Sequence, residues 1–354
     1  VGAKRSKKTT VDSFNGHIHG LYAATRLIYI SLHIAYLDDE KPVGIMLIAA
    51  PGMGKSMLLT RFKSDKILLF NDLTGWGFET VLMGLKRLKL GYIVVPDLLR
   101  IMARKRGWES FLTLTNIVLE EGLEALRRFD IDVKFEKPIN FGVITAITTD
   151  CFKLHRDQFG KTGFGSRFGK FAYNYEKSDL ARIEKKVSVK STFKLPPIKI
   201  NPSMGSKKST KITVSPKIAR CIQRLGRLMS GNKPPAFRSI DFVRRLTKAR
   251  AFSEGRTAAN MDDIKEIYAL IPFFVPPYPT ATDLEYFLLM EFDRKILNEA
   301  GYSEDEIYDA RTRIARKNIR WDLVVNGDIG GQETNENKEE SGNVKQINFP
   351  SPVH

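Results

Sequence analysis

From Gly44 onward, short apolar runs alternate with longer amphipathic stretches. Apolar runs of roughly four to eight residues suit buried strands, and the stretches between them suit covering helices. The predicted strands are Ile45–Ile48, Ile67–Phe70, Tyr92–Val95, Gly142–Ile147 and Phe168–Tyr175, with helices at Lys55–Phe62, Glu79–Leu88, Leu98–Lys105 and Ser110–Leu126. Strand alternating with helix predicts an α/β fold, a parallel five-stranded sheet flanked by helices.

Around this core (41–180) the pattern changes. A basic arm, Val1 to Asp12, precedes a helix reaching about Leu37, giving an N-terminal unit over 1–40; Tyr22, Tyr29 and Tyr36 recur every seven residues on one of its faces. Within the core, Asp130-Ile131-Asp132-Val133-Lys134-Phe135 alternates, which predicts a hairpin excursion over Arg127–Pro138. Lys185–Lys211 holds eight lysines and no acidic residue, a basic connector (181–212) with an exposed strand at Val187–Phe193. Helices resume at Pro216–Ser230, Ser239–Glu254 and Met261–Leu270, an all-helical lid over 213–275. Asp283–Ala300 and Asp305–Trp321 predict C-terminal helices within 276–325, and the polar stretch 326–354 reads as disordered.

Candidate chemistry begins where Ile45–Ile48 runs into Ala49-Ala50-Pro51-Gly52-Met53-Gly54-Lys55-Ser56 and then an apolar helix. This is the strand, glycine loop and helix of a phosphate-binding P-loop. Two glycines let successive N–H groups turn toward a β-phosphate, and the helix aims its positive end there. The cradle comprises Ala50, Pro51, Gly52, Met53, Gly54, Lys55, Ser56 and Met57. Lys55 suits the β and γ oxygens, and the Ser56 hydroxyl suits Mg²⁺. The first glycine of the usual pattern is replaced by Ala49, small enough for close approach to the sheet. Tyr92–Val95 leads to Pro96-Asp97, placing a carboxylate at the carboxyl edge of the sheet, where it can hold Mg²⁺ through water. Asp97 equally suits the cap of the next helix. ATP and Mg²⁺ are the cofactors these residues predict.

Three later segments extend the pattern: Gly142-Val143-Ile144-Thr145-Ala146-Ile147-Thr148-Thr149, Gly165-Ser166-Arg167-Phe168, and Phe237-Arg238-Ser239 through Lys248-Ala249-Arg250-Ala251, Gly255-Arg256 and Asp262-Asp263. With them the sequence resembles the AAA+ superfamily, within it the branch of minichromosome maintenance helicases and MoxR-type ATPases, over roughly Gly44 to Leu270. The resemblance implies that Thr149, or Thr148, positions the attacking water and that Arg167 reaches a neighbouring subunit's γ-phosphate. It implies that Arg238 reaches the γ-phosphate from the lid, and that the chain forms a homo-oligomeric ring, often of six. Surface salt bridging is the alternative for both arginines. Where that family usually has a glutamate after the strand-end aspartate, this sequence has Leu98. Glu121, in Glu120-Glu121-Gly122, is the preferred substitute base, with Glu109 and Glu120 also near.

A formal net charge of +17 changes the picture of partners, because a basic surface attracts nucleic acid, an anionic membrane face or an acidic protein. With the hairpin's Arg127, Arg128, Lys134 and Lys137, it favours a DNA-associated motor or loader. A MoxR-like ATPase remodelling protein partners, and a slow-hydrolysing ATP switch, remain alternatives. Cys151 and Cys221 are too few for a disulfide framework or a metal cluster. The longest apolar run, Leu21–Leu37, is interrupted by Arg26 and His33, and no cleavable leader pattern is seen. The expectation is a cytoplasmic chain with no membrane partner.

Overall fold

A computed structural model of the chain describes residues 20–70, 91–128, 131–175, 177–189, 196–200, 211–230, 236–275, 298 and 301–308. Helix α1 (Tyr22–His33) runs into a tight turn, Ile34–Tyr36. The core follows as β1 (Gly44–Ala49), α2 (Lys55–Leu59), β2 (Phe62–Lys63), β3 (Ile67–Leu69), β4 (Tyr92–Val95), α3 (Leu98–Met102), α4 (Lys105–Glu120), β5 (Leu123–Arg128), β6 (Ile131–Ile139), β7 (Gly142–Thr148), α5 (Thr149–Lys161), α6 (Phe164–Arg167) and β8 (Phe168–Ala172). Then come α7 (Lys177–Val189), β9 (Ile198–Lys199), α8 (Pro216–Met229), α9 (Phe237–Ser253) and α10 (Met261–Leu270).

Five strands form one parallel sheet in the order β3-β4-β7-β1-β8, the α/β class that the alternation predicts. Every residue of β1, β4 and β8 is buried, as strands covered on both faces require. Because the strands are parallel, their carboxyl ends share one edge and their amino ends the opposite one. Strand β1 lies between β7 and β8, so the loop leaving its carboxyl end is flanked by theirs.

Several predicted boundaries move, each for a local reason. Gly122 takes φ +95°, and its N–H returns to the Ile117 carbonyl at 2.8 Å, so α4 stops at Glu120 and not at Leu126. A Cβ on Gly122 would stand 2.8 Å from Pro138, so glycine there gives room for the antiparallel pair β5–β6, longer than Arg127–Pro138. The helix predicted over Leu98–Lys105 breaks at Arg104, which is extended (φ −113°, ψ 100°). Helix α2 ends at Leu59 because Phe62–Lys63 pairs with Ile198–Lys199. The exposed strand predicted from Val187 is a correction: through Val189 those residues are helical, so the basic connector begins after α7. The predicted helix Glu79–Leu88, most of Asp283–Ala300 and of Asp305–Trp321, the arm 1–12 and the stretch 326–354 lie outside the described residues; 304–308 are helical.

Helices α8, α9 and α10 pack on one another, and α9 packs on α1. Ion pairs fasten this unit both to the segment just before β1 and to α1. The Glu40 carboxylate, its side chain 1% exposed, accepts from Lys248 Nζ at 2.6 Å and from Arg244 at 3.0 Å. Arg26 of α1 pairs with Glu266 of α10, which also pairs with Arg250 of α9. Among the described residues, no helix is long and apolar enough to cross a membrane.

Candidate phosphate loop and the arginine edge

The loop after β1 is shaped by left-handed glycines. Gly52 (φ +79°) and Gly54 (φ +73°) adopt a backbone that other residues enter at a cost of about 1–2 kcal/mol. A Cβ on Gly54 would also stand 3.1 Å from Met57 Cε and from the Tyr175 hydroxyl, whereas one on Gly52 would meet nothing within 4 Å. Gly54 caps α2, so the N–H groups that open the helix face the loop's hollow, as an anion requires.

Lys55 is buried, 8% exposed, and its ammonium donates to the carbonyls of Ala49 at 2.7 Å and Ala50 at 2.8 Å. Burial lowers its pKa, while the charges of Asp97 and Cys151 pull it back up. Ser56 Oγ donates to the Pro96 carbonyl at 2.9 Å, tying α2 to the end of β4. Asp97 follows, extended, and caps α3 by accepting from the Leu99 N–H at 3.1 Å. The capping role and a place beside the loop are therefore both real. Thr148 pairs in register with Ala49, so Thr148 and the buried Thr149 flank the same loop from β7. Loop backbone, ammonium, hydroxyl and carboxylate together fit a polyphosphate with its divalent cation: Ala50–Met57 for the phosphates, Ser56 and Asp97 for the metal. Leu98 is completely buried and contributes nothing polar.

Two residues that sequence reasoning passed over hold this loop. Tyr173 and Tyr175 both donate their hydroxyls to the Met53 carbonyl, at 2.9 and 3.1 Å. They leave β8 two residues apart, and that spacing puts both on one side of an extended chain. Burial pushes the Tyr175 hydroxyl up to about 12, so it remains a donor at any ordinary pH.

Arg167 and Arg238 stand elsewhere. Arg167 ends α6, immediately before β8, at the amino edge; Phe168 pairs with Gly44, the first residue of β1. Its short helix is anchored by Phe164, fully buried in an aromatic cluster with Trp108, Phe111 and Phe159. Arg167 donates to the Gly163 carbonyl at 2.7 Å and to Glu120 Oε2 at 2.6 Å. Arg238, at the start of α9, donates to Ser166 Oγ at 2.7 Å and pairs with the other oxygen of Glu120. A cleft of about 650 Å³ opens beside them, with Phe237, 78% exposed, at its rim.

The structure thus brings Lys55, Ser56, Asp97 and Thr149 together, and gathers Glu120, Arg167 and Arg238 at the opposite edge. Two expectations need correction. Arg238 does not reach the loop of its own chain, because its side chain is held at the amino edge by Glu120 and Ser166. Glu121, exposed and next in the chain after Glu120 at the end of α4, is at the amino edge and is no base for its own loop. The signal for Glu121 was topological: α4 ends where the hairpin β5–β6 begins.

No protein-family model matches the chain, and no curated protein matches it significantly. Among solved structures it is similar to a candidate ATPase from Cytophaga hutchinsonii, at 15% identity over 88% of this chain and 94% of that one, with a TM-score of 0.43. So loose an overlap leaves the reading of the site to the residues themselves.

Proposed function

We propose that this chain is an AAA+-type ATPase that binds ATP·Mg²⁺ at the Ala50–Met57 loop and acts in a ring-like homo-oligomer. The observation that carries the reading is the 2.9 Å contact from Ser56 to the Pro96 carbonyl, which joins a left-handed glycine loop to an acidic strand end. Lys55 binds the β and γ oxygens, Ser56 and Asp97 hold the metal, and Thr149 orients the attacking water. Bound Mg²⁺ supplies charge neutralisation at the phosphates. Arg167 and Arg238 are supplied together by the next copy, since both lie at the edge that faces away from their own loop. The catalytic base is Glu121 of that same edge.

The partner we propose is DNA, for a motor or loader. Lys217, Arg220 and Arg227 lie exposed along α8, a helix with no acidic residue, and Lys134 and Lys137 are exposed on β6. Phosphate contacts of this kind make affinity fall steeply with salt. The experiment is ATP turnover with and without single- and double-stranded DNA, alongside the mass in solution with ATP·Mg²⁺. The reading expects an ATP-dependent oligomer, salt-sensitive DNA binding and DNA-stimulated turnover. An active oligomer indifferent to DNA would replace the motor with an ATPase remodelling protein partners; ATP binding with negligible turnover would leave a switch.

A further inference from the structure

Glu120 is an odd residue to find at the end of a sixteen-residue helix. A carboxylate at a helix carboxyl end meets the negative pole of the helix dipole, an unfavourable place for it. Yet its backbone carbonyl is held by Lys41 Nζ at 2.7 Å, and its two oxygens are divided between two guanidinium groups. Arg167 comes from the core and Arg238 from the lid, so one carboxylate fixes the spacing of two arginines carried by different units.

The surroundings are built for that spacing. Gly163 takes φ +68°, and a Cβ there would stand 2.5 Å from the Arg167 guanidinium. Ser166, one residue before Arg167, receives the second N–H of Arg238. The carboxylate is about a third exposed, at the mouth of the cleft, so an incoming anion can reach it. Two planar guanidinium groups converging on one anion make the arrangement that recognises a phosphoryl group.

We infer that Glu120 is a positioning residue that occupies, on each copy, the place of the neighbouring copy's terminal phosphate. It holds Arg167 and Arg238 as a preset pair and is displaced from them when a neighbour's ATP arrives. The inference rests on the proposed trans role of the two arginines. Its consequence is that Glu120 opposes assembly: the arginines must leave one anion to take another.

The test is sedimentation of wild type, Glu120→Gln and Glu120→Ala over a range of protein concentrations, with and without ATP·Mg²⁺, after thermal unfolding has shown each variant folded. Without nucleotide, the three associate alike. With ATP·Mg²⁺, both variants reach half-maximal assembly at a protein concentration about tenfold lower than wild type, the equivalent of one charge-assisted hydrogen bond. A purely structural brace between lid and core predicts the reverse, since loosening it weakens assembly. Unchanged or weaker assembly in ATP overturns the inference. Arg167→Ala and Arg238→Ala, measured beside them, report on the reading beneath: if neither weakens ATP-dependent assembly or turnover, the trans role itself fails, and the inference with it.

Discussion

The backbone carbonyl of Arg167 lies against Gly44, so closely that a Cβ on that glycine would stand 2.9 Å from it, whereas Lys55 begins the helix beyond the other end of the same strand. Five steps of about 3.3 Å put roughly 17 Å between Gly44 and Ala49, the two ends of β1. No side chain spans that distance, so the loop and the arginines of one chain cannot meet, and the proposed ATPase site needs a second copy to complete it. On that proposal, repeated head-to-tail contact between copies would join them, and such contact closes into a ring when the rotation allows.

The first prediction concerns the loop. Lys55→Ala removes the buried ammonium, and nucleotide affinity should fall about 10- to 100-fold by calorimetric titration. Asp97→Asn should weaken binding in Mg²⁺ while changing little in EDTA. Equal loss in both conditions would remove Asp97 from the metal.

Tyr173 and Tyr175 offer a finer test. Each Tyr→Phe change deletes one hydrogen bond to the Met53 carbonyl, worth about 1 kcal/mol, or roughly fivefold in nucleotide affinity if the loop must be held in shape. The double change leaves that carbonyl without either tyrosine and should cost more than the sum of the singles. Affinity unchanged in the double variant would make the tyrosines mere packing.

His33 sets a pH dependence. It is buried on α1 beside Tyr29, Tyr36 and Phe252, with Nδ1 2.7 Å from the Tyr29 carbonyl. Burial, aided by the charges of Arg26 and Arg250, lowers its pKa from 6.5 to about 4. The unfolded chain accepts a proton near pH 6.5 that the folded chain refuses until about pH 4. Stability attributable to His33 is therefore full above that window and is lost as pH falls through it, by at most about 3 kcal/mol. His33→Phe should flatten this slope in urea unfolding between pH 7 and 4.5, and parallel curves for the two proteins would contradict it.

Glu40 tests how the lid is fastened. Its carboxylate is the buried partner of Lys248 and Arg244, and removing it leaves Lys248, largely shielded from solvent, with Asp39 at 2.9 Å as its remaining acidic partner. Glu40→Ala should destabilise the fold by about 2 kcal/mol, a value discounted because Arg244 is partly exposed. A change in unfolding midpoint within error would make the pair incidental.

Much of this was legible in the sequence. All five sheet strands follow from apolar runs; β1 and β4, buried on both faces, have no polar position to blur the signal, and even the half-buried edge strand β3 keeps an apolar run. The loop was legible too, since Gly52, Gly54, Lys55 and Ser56 must be contiguous to do their work. The end of α4 was less so: Leu123–Leu126 continues an apolar pattern that a helix could use, and only the backbone of Gly122 ends it. The pairing of Glu120 with Arg167 and Arg238 was hidden for a different reason. It spans 47 and 118 positions of sequence, and it depends on which edge of a parallel sheet each segment reaches.

The most direct test of the divided site is a mixing experiment. Lys55→Ala lacks the loop's ammonium and Arg167→Ala lacks the guanidinium proposed for a neighbour's site; the latter should bind ATP normally while turnover falls about a thousandfold. Each alone should be nearly inactive. Mixed, they place an intact loop against an intact arginine at some junctions, and ATP turnover should return. A mixture as silent as its components, beside an active wild type in which the two variants are shown to co-assemble, would contradict the account.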